Sequence, residues 1–336
     1  MFLPFTVYPF SSLPPMLQTV MIYYPIVAAF GVPANVMTIV ILSRWNCGLS
    51  RCVSTYLVAM ATADLLVVVF DVILYRMNEL YFPTTFLFIT QVCAFQVTLI
   101  HATTDISVWL TLAFTCDRYV MICCHKLRTR ICSCKTARNV IAIVFPLFFC
   151  KNIPWFFLFE PIFTVGNTDW FCDFGSQAWT HPGWISFTWI HRVLTPILPM
   201  FLISLLNVLT VVHIVAATRA RKVLKGSKNY ADQDDSEVKS RRKSIVLLFA
   251  VSGNFIVLWM TYLIFFLWMQ ISQRFIINTV NDPMFIADHT SYMLLILSCV
   301  TNTCIYAVTQ SKFRKELINV MKYPGKILFI CFKGGK

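Results

Sequence analysis

One stretch, Cys93 to His125, limits what the rest of the chain can be. It reads CAFQVTLIHATTDISVWLTLAFTCDRYVMICCH, apolar enough to cross a hydrocarbon layer that takes about 20 residues to span. On the way it carries His101, Thr104, Asp105 and Ser107, and it ends in the charged triplet Asp117-Arg118-Tyr119. Lipid offers such groups no partner, so a helix that keeps them must turn them toward protein or enclosed water. A helix polar along one side needs other spanning helices around it.

The sequence supplies them. Apolar runs cover roughly Thr19 to Ser43, Ser54 to Met77, Ala137 to Phe159, Trp184 to Ala217, Ile245 to Gln270 and Met284 to Gln310. Charged residues are 13% of the chain and apolar ones 58%, where a soluble domain keeps about 25% charged. The expectation is an all-α membrane protein, a seven-transmembrane helix bundle with a short amphipathic eighth helix beginning at Ser311. Residues 1–18 form an N-terminal segment, 19–310 the bundle, and 311–336 the amphipathic helix and tail. The opening residues lack the basic start of a cleavable signal, so the first span is expected to serve as the targeting signal.

Charge placement sets the expected orientation. Of 28 Lys and Arg residues, all but Arg76, Lys151, Arg192 and Arg274 fall in or beside the loops after spans one, three and five, or in the tail. The positive-inside rule then puts those loops in the cytoplasm and the N-terminus outside, in the plasma membrane. The net charge of +13 is thus a topology and headgroup signal, and nucleic acid is not an expected partner. Thirteen cysteines sort the same way: Cys93 and Cys172 are left on the outer side, the pair an oxidising exterior would bridge. Cys331, in a basic and apolar tail, is a lipidation candidate. Trp155, Trp170, Trp179 and Trp184 suit an interfacial belt.

Polar residues within the spans mark function. His101 and Asp105, four apart, can pair on one helix face. With Thr104, they are expected to share an aromatic-walled outer pocket with His191 and Arg192 of span five, Trp259, Tyr262 and Phe266 of span six, and Asp288 of span seven. Asp64 and Asp71 are carboxylates inside span two, where burial demands compensation. No H-E-x-x-H, G-x-S-x-G or glycine-rich phosphate loop is present, so an enzyme is not expected, and no resident cofactor. Span seven has no lysine for a retinal Schiff base. A transporter or channel would show paired broken helices, and glycine is too scarce for that.

Several of these residues, taken in order, resemble the rhodopsin-like (class A) G protein-coupled receptors. Asn35, the LVAMATADLL run, Cys93, Asp117-Arg118-Tyr119, Phe255-x-x-x-Trp259 and Asn302-x-x-x-Tyr306 carry the resemblance, which covers nearly the whole chain. It implies that Asp117, Arg118 and Tyr119 serve a heterotrimeric G protein. It also implies that Phe255, Trp259, Asn302 and Tyr306 act as activation switches, and that Asn35, Asp64, Ser107, Ser298 and Asn302 resemble an allosteric sodium pocket. CGLSRCVSTYLVAMATADLLV, SRRKS and TNTCIYAVTQSKFR are most similar to an orphan branch reported to respond to tryptophan and phenylalanine, with signalling through phospholipase C. A neuropeptide-binding receptor is the alternative within the family. Departures are visible: Thr261 and Thr303 stand where prolines are usual, Asn207 where a tyrosine is, and the start of span six, Arg241-Arg242-Lys243, has no acid to pair with Arg118.

Overall fold

The computed structural model describes residues 10–45, 47, 49–124, 126–128, 132–225, 235–272 and 282–322. Among them, seven helices are long and apolar enough to span a bilayer. These are α1 (Pro15–Arg44), α2 (Arg51–Tyr81), α3 (Thr90–Cys123), α4 (Cys134–Leu158), α5 (Pro182–Ala220), α6 (Arg242–Ser272) and α7 (Pro283–Thr309). An eighth, α8 (Ser311–Lys322), follows α7 after one residue. The α6 helix begins earlier than its apolar part, at Asp235.

Local chemistry explains several starts. The Ser50 hydroxyl accepts from the Val53 amide at 3.3 Å, Ser133 from Thr136 at 3.1 Å, and the Asp282 carboxylate from Met284 at 2.9 Å. Each satisfies an orphan amide of a first turn, and Pro283 occupies a position where its missing N–H costs nothing. Two helices depart from α geometry inside the bundle. The Val68–Met77 part of α2 is π-helical, and α5 is interrupted at Val193–Ile197, where Thr195 is extended.

The bundle is organised around α3 as expected, with α2 as its equal. In each, 56% of the apolar window is buried, against 17% for α5. Two apolar cores flank a polar layer. One, with Ile41, Leu57, Leu110, Phe114, Leu247 and Tyr306, lies toward Asp117-Arg118, here termed the arginine end. The other, with Tyr24, Val72, Met200, Phe255, Trp259 and Leu295, lies toward the disulfide end. Between them along α1, α2, α3 and α7 fall Asn35, Asp64, Ser107 and Asn302. The sequence alternates apolar and polar in the same order on four helices, so packing them side by side stacks the layers.

The connection from α4 to α5 is an antiparallel pair of short ladders. Strands β1 (Phe159–Glu160) and β4 (Asp173–Phe174) pair, as do β2 (Phe163–Val165) and β3 (Thr168–Trp170). The expected Cys93–Cys172 disulfide is present and pins this loop over α3. Its sequence separation of 79 makes the cross-link worth roughly 4–5 kcal/mol in the chain-entropy account. The Thr90 hydroxyl donates to the Phe171 carbonyl at 2.7 Å on the same seam. Trp155 departs from the interfacial belt: it is buried, while Trp179 is exposed. At the arginine end, α8 buries Phe313 and Val320 and leaves Lys312, Arg314 and Lys315 exposed, as a helix lying on an anionic surface does.

Candidate functional site

A cavity of about 310 Å³ opens at the disulfide end between α2, α3, α4, α5, α6, α7 and the β-loop. His101, Thr104, Asp105, His191, Arg192, Trp259 and Tyr262, all named from the sequence, line it. Phe266 and Asp288 do not. Phe266 is turned toward α5, where Trp189 lies edge-on at 6.0 Å and the Arg192 guanidinium stacks at 4.6 Å. The Asp288 carboxylate instead lies 3.8 Å from the His289 ring.

The expected pairing of His101 with Asp105 is not found. Oδ2 of Asp105 accepts from Lys151 at 2.6 Å and from Asn152 at 2.7 Å, because the far end of α4 brings an ammonium to it that α3 cannot supply. Lys151 also meets Nδ1 of His191 at 2.7 Å. His101 stacks on Trp155 at 4.3 Å, and His191 meets both rings edge-on at 5.0 Å. Three helices, α3, α4 and α5, therefore converge on one buried carboxylate.

A second ion pair, which sequence reading did not assemble, stands on α2. Nε of Arg76 donates to Oδ1 of Asp71 at 2.8 Å, and the guanidinium lies over the rings of Tyr292 at 4.8 Å and Tyr24 at 5.5 Å. Five residues apart, Asp71 and Arg76 face different ways on an α-helix turning about 100° per residue. The π-helical segment closes i to i+5 and brings them together. Helix periodicity hides that pair in the sequence.

In the polar layer, Asp64 accepts from Ser107 at 2.6 Å on one oxygen and from Asn302 Nδ2 at 2.8 Å on the other. The other two expected members bond elsewhere. Asn35 donates to the carbonyls of Gly31 and Cys299, and Ser298 donates to the Leu295 carbonyl while accepting from Trp259 Nε1 at 3.1 Å. Asn35 keeps its Oδ1 buried and without a hydrogen-bond partner among the described residues. The five residues as placed form a hydrogen-bonded polar layer whose centre, Asp64 with Ser107 and Asn302, joins α2, α3 and α7.

At the arginine end, Arg118 is 3% exposed and folded back on Asp117, to which its Nε donates at 3.0 Å and its Nη2 more closely still. Thiols of Cys52 and Cys132 donate to the same aspartate, to its side chain and its carbonyl, each at 3.4 Å. Burial, with the nearby Asp117 carboxylate second, pushes the Cys132 thiol up to about 11, so it stays a protonated donor. Tyr119, next in the chain, is half-buried. With no acid at Arg241-Arg242-Lys243, Arg118 is still held: its Nη1 donates to the Ser244 hydroxyl at 3.3 Å. Higher on α6, Ser252 and Asn207 of α5 exchange bonds at 2.9 and 3.1 Å. Asn254 and Thr301 of α7 do so at 3.0 and 3.3 Å. Phe255 and Trp259 stack at 5.2 Å, and Tyr306 packs against Phe313 of α8 at 6.0 Å. Uncharged side chains of α6 thus tie it to Arg118 of α3, Asn207 of α5 and Thr301 of α7 at successive levels.

Cys331 and Arg274 lie outside the described residues. A family model described as 7 transmembrane receptor (rhodopsin family) matches residues 34–306.

Proposed function

The chain belongs to that receptor family, and we propose that it answers a small aromatic L-amino acid at the cavity beside the disulfide. Family members are receptors rather than enzymes, multi-pass proteins of the plasma membrane that bind extracellular ligands and couple to heterotrimeric G proteins. The observation that carries the ligand reading is a small cavity walled by Trp155, Trp259, Tyr262 and Tyr292 that holds both charge signs. About 310 Å³ sits at the low end of the range for ligand clefts, roughly 300–1,000 Å³, which favours a small ligand over a neuropeptide. A ring stacked on these aromatics gains on the order of 1 kcal/mol beyond area burial. Few heavy atoms hold affinity near the micromolar range, suited to an abundant metabolite.

The similarity of CGLSRCVSTYLVAMATADLLV and TNTCIYAVTQSKFR to the tryptophan- and phenylalanine-responsive branch supports the same ligand class and the phospholipase C route. The basic loops support an outside N-terminus, with 1–18 ahead of a receptor unit 19–310 and 311–336 in the cytoplasm. Asp117, Arg118 and Tyr119 are then the coupling residues, and Phe255, Trp259, Asn302 and Tyr306 the switch. In this reading Arg118 is released from Asp117 and Ser244 as α6 moves, and meets the G protein. Cells expressing the chain test it with L-tryptophan and L-phenylalanine beside their decarboxylated amines and N-acetyl forms, read by calcium and cyclic nucleotide. The free amino acids should be most potent, and Arg118→Ala should silence them while leaving binding intact. Equal potency of all three forms rejects zwitterion recognition. Silence to all, beside a responsive peptide, makes it a peptide receptor.

A further inference from the structure

The two charged clusters of the cavity differ in what they leave unspent. On α3, Asp105 is 1% exposed and lines the cavity, yet only its Oδ2 is bonded; Oδ1 is buried with no hydrogen-bond partner among the described residues. A carboxylate oxygen without a donor in such a place costs several kcal/mol, a cost that a water or a ligand ammonium entering the cavity would relieve. On α2, Arg76 uses Nε for Asp71, its guanidinium lies close to the Tyr24 side chain, and its Nη groups meet no second carboxylate among the described residues. Its side chain keeps 19% exposure against 4% for Asp71, so the open side of this pair is the guanidinium. One wall lacks a donor and the other lacks an acceptor.

The charge count agrees. The lining holds Asp71, Asp105 and Asp173 against Arg76 and Arg192, and Lys151 behind Asp105 completes the balance. A neutral set with an idle acceptor on one side and idle donors on the other suits a ligand neutral overall and charged at both ends. Arg192 also lines the cavity, but it rests on Phe266 by its face and no hydrogen bond fixes its fork among the described residues. Arg76 is oriented three ways, by Asp71, Tyr292 and Tyr24, and a fixed fork loses less entropy on binding a carboxylate.

Resting on the aromatic amino acid reading, we propose that Arg76 receives the ligand carboxylate and Oδ1 of Asp105 its ammonium, so that α2 and α3 read the two ends of one zwitterion. Arg192 and His191 are then wall residues. His191 already meets Lys151, and Arg192 tunes Phe266.

Thermal-shift titration of the purified full chain in lipid nanodiscs tests this with three probes: L-phenylalanine, phenethylamine without the carboxylate, and 3-phenylpropionate without the ammonium. Arg76→Gln should weaken L-phenylalanine and 3-phenylpropionate at least about tenfold and leave phenethylamine unchanged, since only the first two carry the charge-assisted bond. Arg192→Gln should move all three equally or none. Asp105→Asn alone strands Lys151, so the variant used is Asp105→Asn with Lys151→Met; it should weaken the amine and the amino acid and spare the acid. If Arg192→Gln shows the selectivity expected of Arg76→Gln, or Arg76→Gln weakens the amine as much as the amino acid, the assignment is overturned and the ligand class stands. If none of the three probes stabilises the parent protein at millimolar concentration, the assignment falls together with the reading beneath it.

Discussion

Where Lys151 reaches Asp105, a full charge is buried against a full charge across two helices; where Ser252 meets Asn207, nothing on either side is charged. The difference runs through the molecule. At the disulfide end, α3 and α4 are joined by an ion pair, and α2 carries another into the cavity wall. At the arginine end the charged pair, Asp117 with Arg118, lies within α3, and what crosses to α6 is the Ser244 hydroxyl. Removing one partner of a buried ion pair costs about 3–5 kcal/mol, whereas a neutral hydrogen bond contributes about 1 kcal/mol net. A ligand shifts a conformation only by its differential affinity, and couplings between sites run to about 1–3 kcal/mol. Bonds of the second kind can be exchanged within that range. Those of the first kind hold still while it happens.

The comparison can be broken most directly at Lys151. Lys151→Met strands Asp105 and should cost about 3–5 kcal/mol of stability, seen as a large drop in Tm of the purified protein. Adding Asp105→Leu should return most of it; a double variant as unstable as the single one would show that the pair is not the unit. Next is the node between the two ends. Asp64→Ala leaves Ser107 and Asn302 without their acceptor, an expected loss of about 2–4 kcal/mol by the same measurement.

Smaller effects sharpen the other half. Ser252→Ala removes one neutral tie of α6 and should raise basal nucleotide exchange about fivefold, the ratio that about 1 kcal/mol sets. Ser244→Glu places an acid opposite Arg118 and should lower basal exchange below the parent, with a shift that shrinks as salt is raised. No change in either would place the resting hold on α6 elsewhere. The smallest effect is chemical. With its thiol pushed up to about 11, Cys132 should react slowly with iodoacetamide at pH 7 and speed up with each step in pH toward that value. Fast labelling at neutral pH would contradict its role as a protonated donor to Asp117.

How much of this was legible in the sequence depended on periodicity. The spans follow from apolar length, and the Cys93–Cys172 bridge from sorting cysteines by side. Cavity residues on regular helix, such as Thr104, Trp259 and Tyr262, were found because α spacing held there. Arg76 was counted only as an exception to charge placement, since its partner depends on a π-helical stretch that periodicity does not announce. Lys151 was lost for a related reason: which of its neighbours a lone charge at a helix end meets is set by the tilt of α4 against α3. Phe266 fails from the opposite error. It shares a face with Tyr262 by spacing, but Trp189 and Arg192 occupy the space it turns into.

The unbroken course of α6 has a mechanical consequence. From Asp235 to Ser272 the helix contains no proline and runs unbroken through its one Ser-Gly pair, Ser252-Gly253, so to a first approximation it moves as a beam rather than a hinged arm. Take the Trp259–Ser298 bond as its fulcrum. At 1.5 Å per residue the two arms, to Ser272 and to Ser244, are each roughly 20 Å long, and the gain of such a seesaw is about one. Whatever distance its lower end must travel to admit a partner, the upper end has to travel as far in the opposite sense.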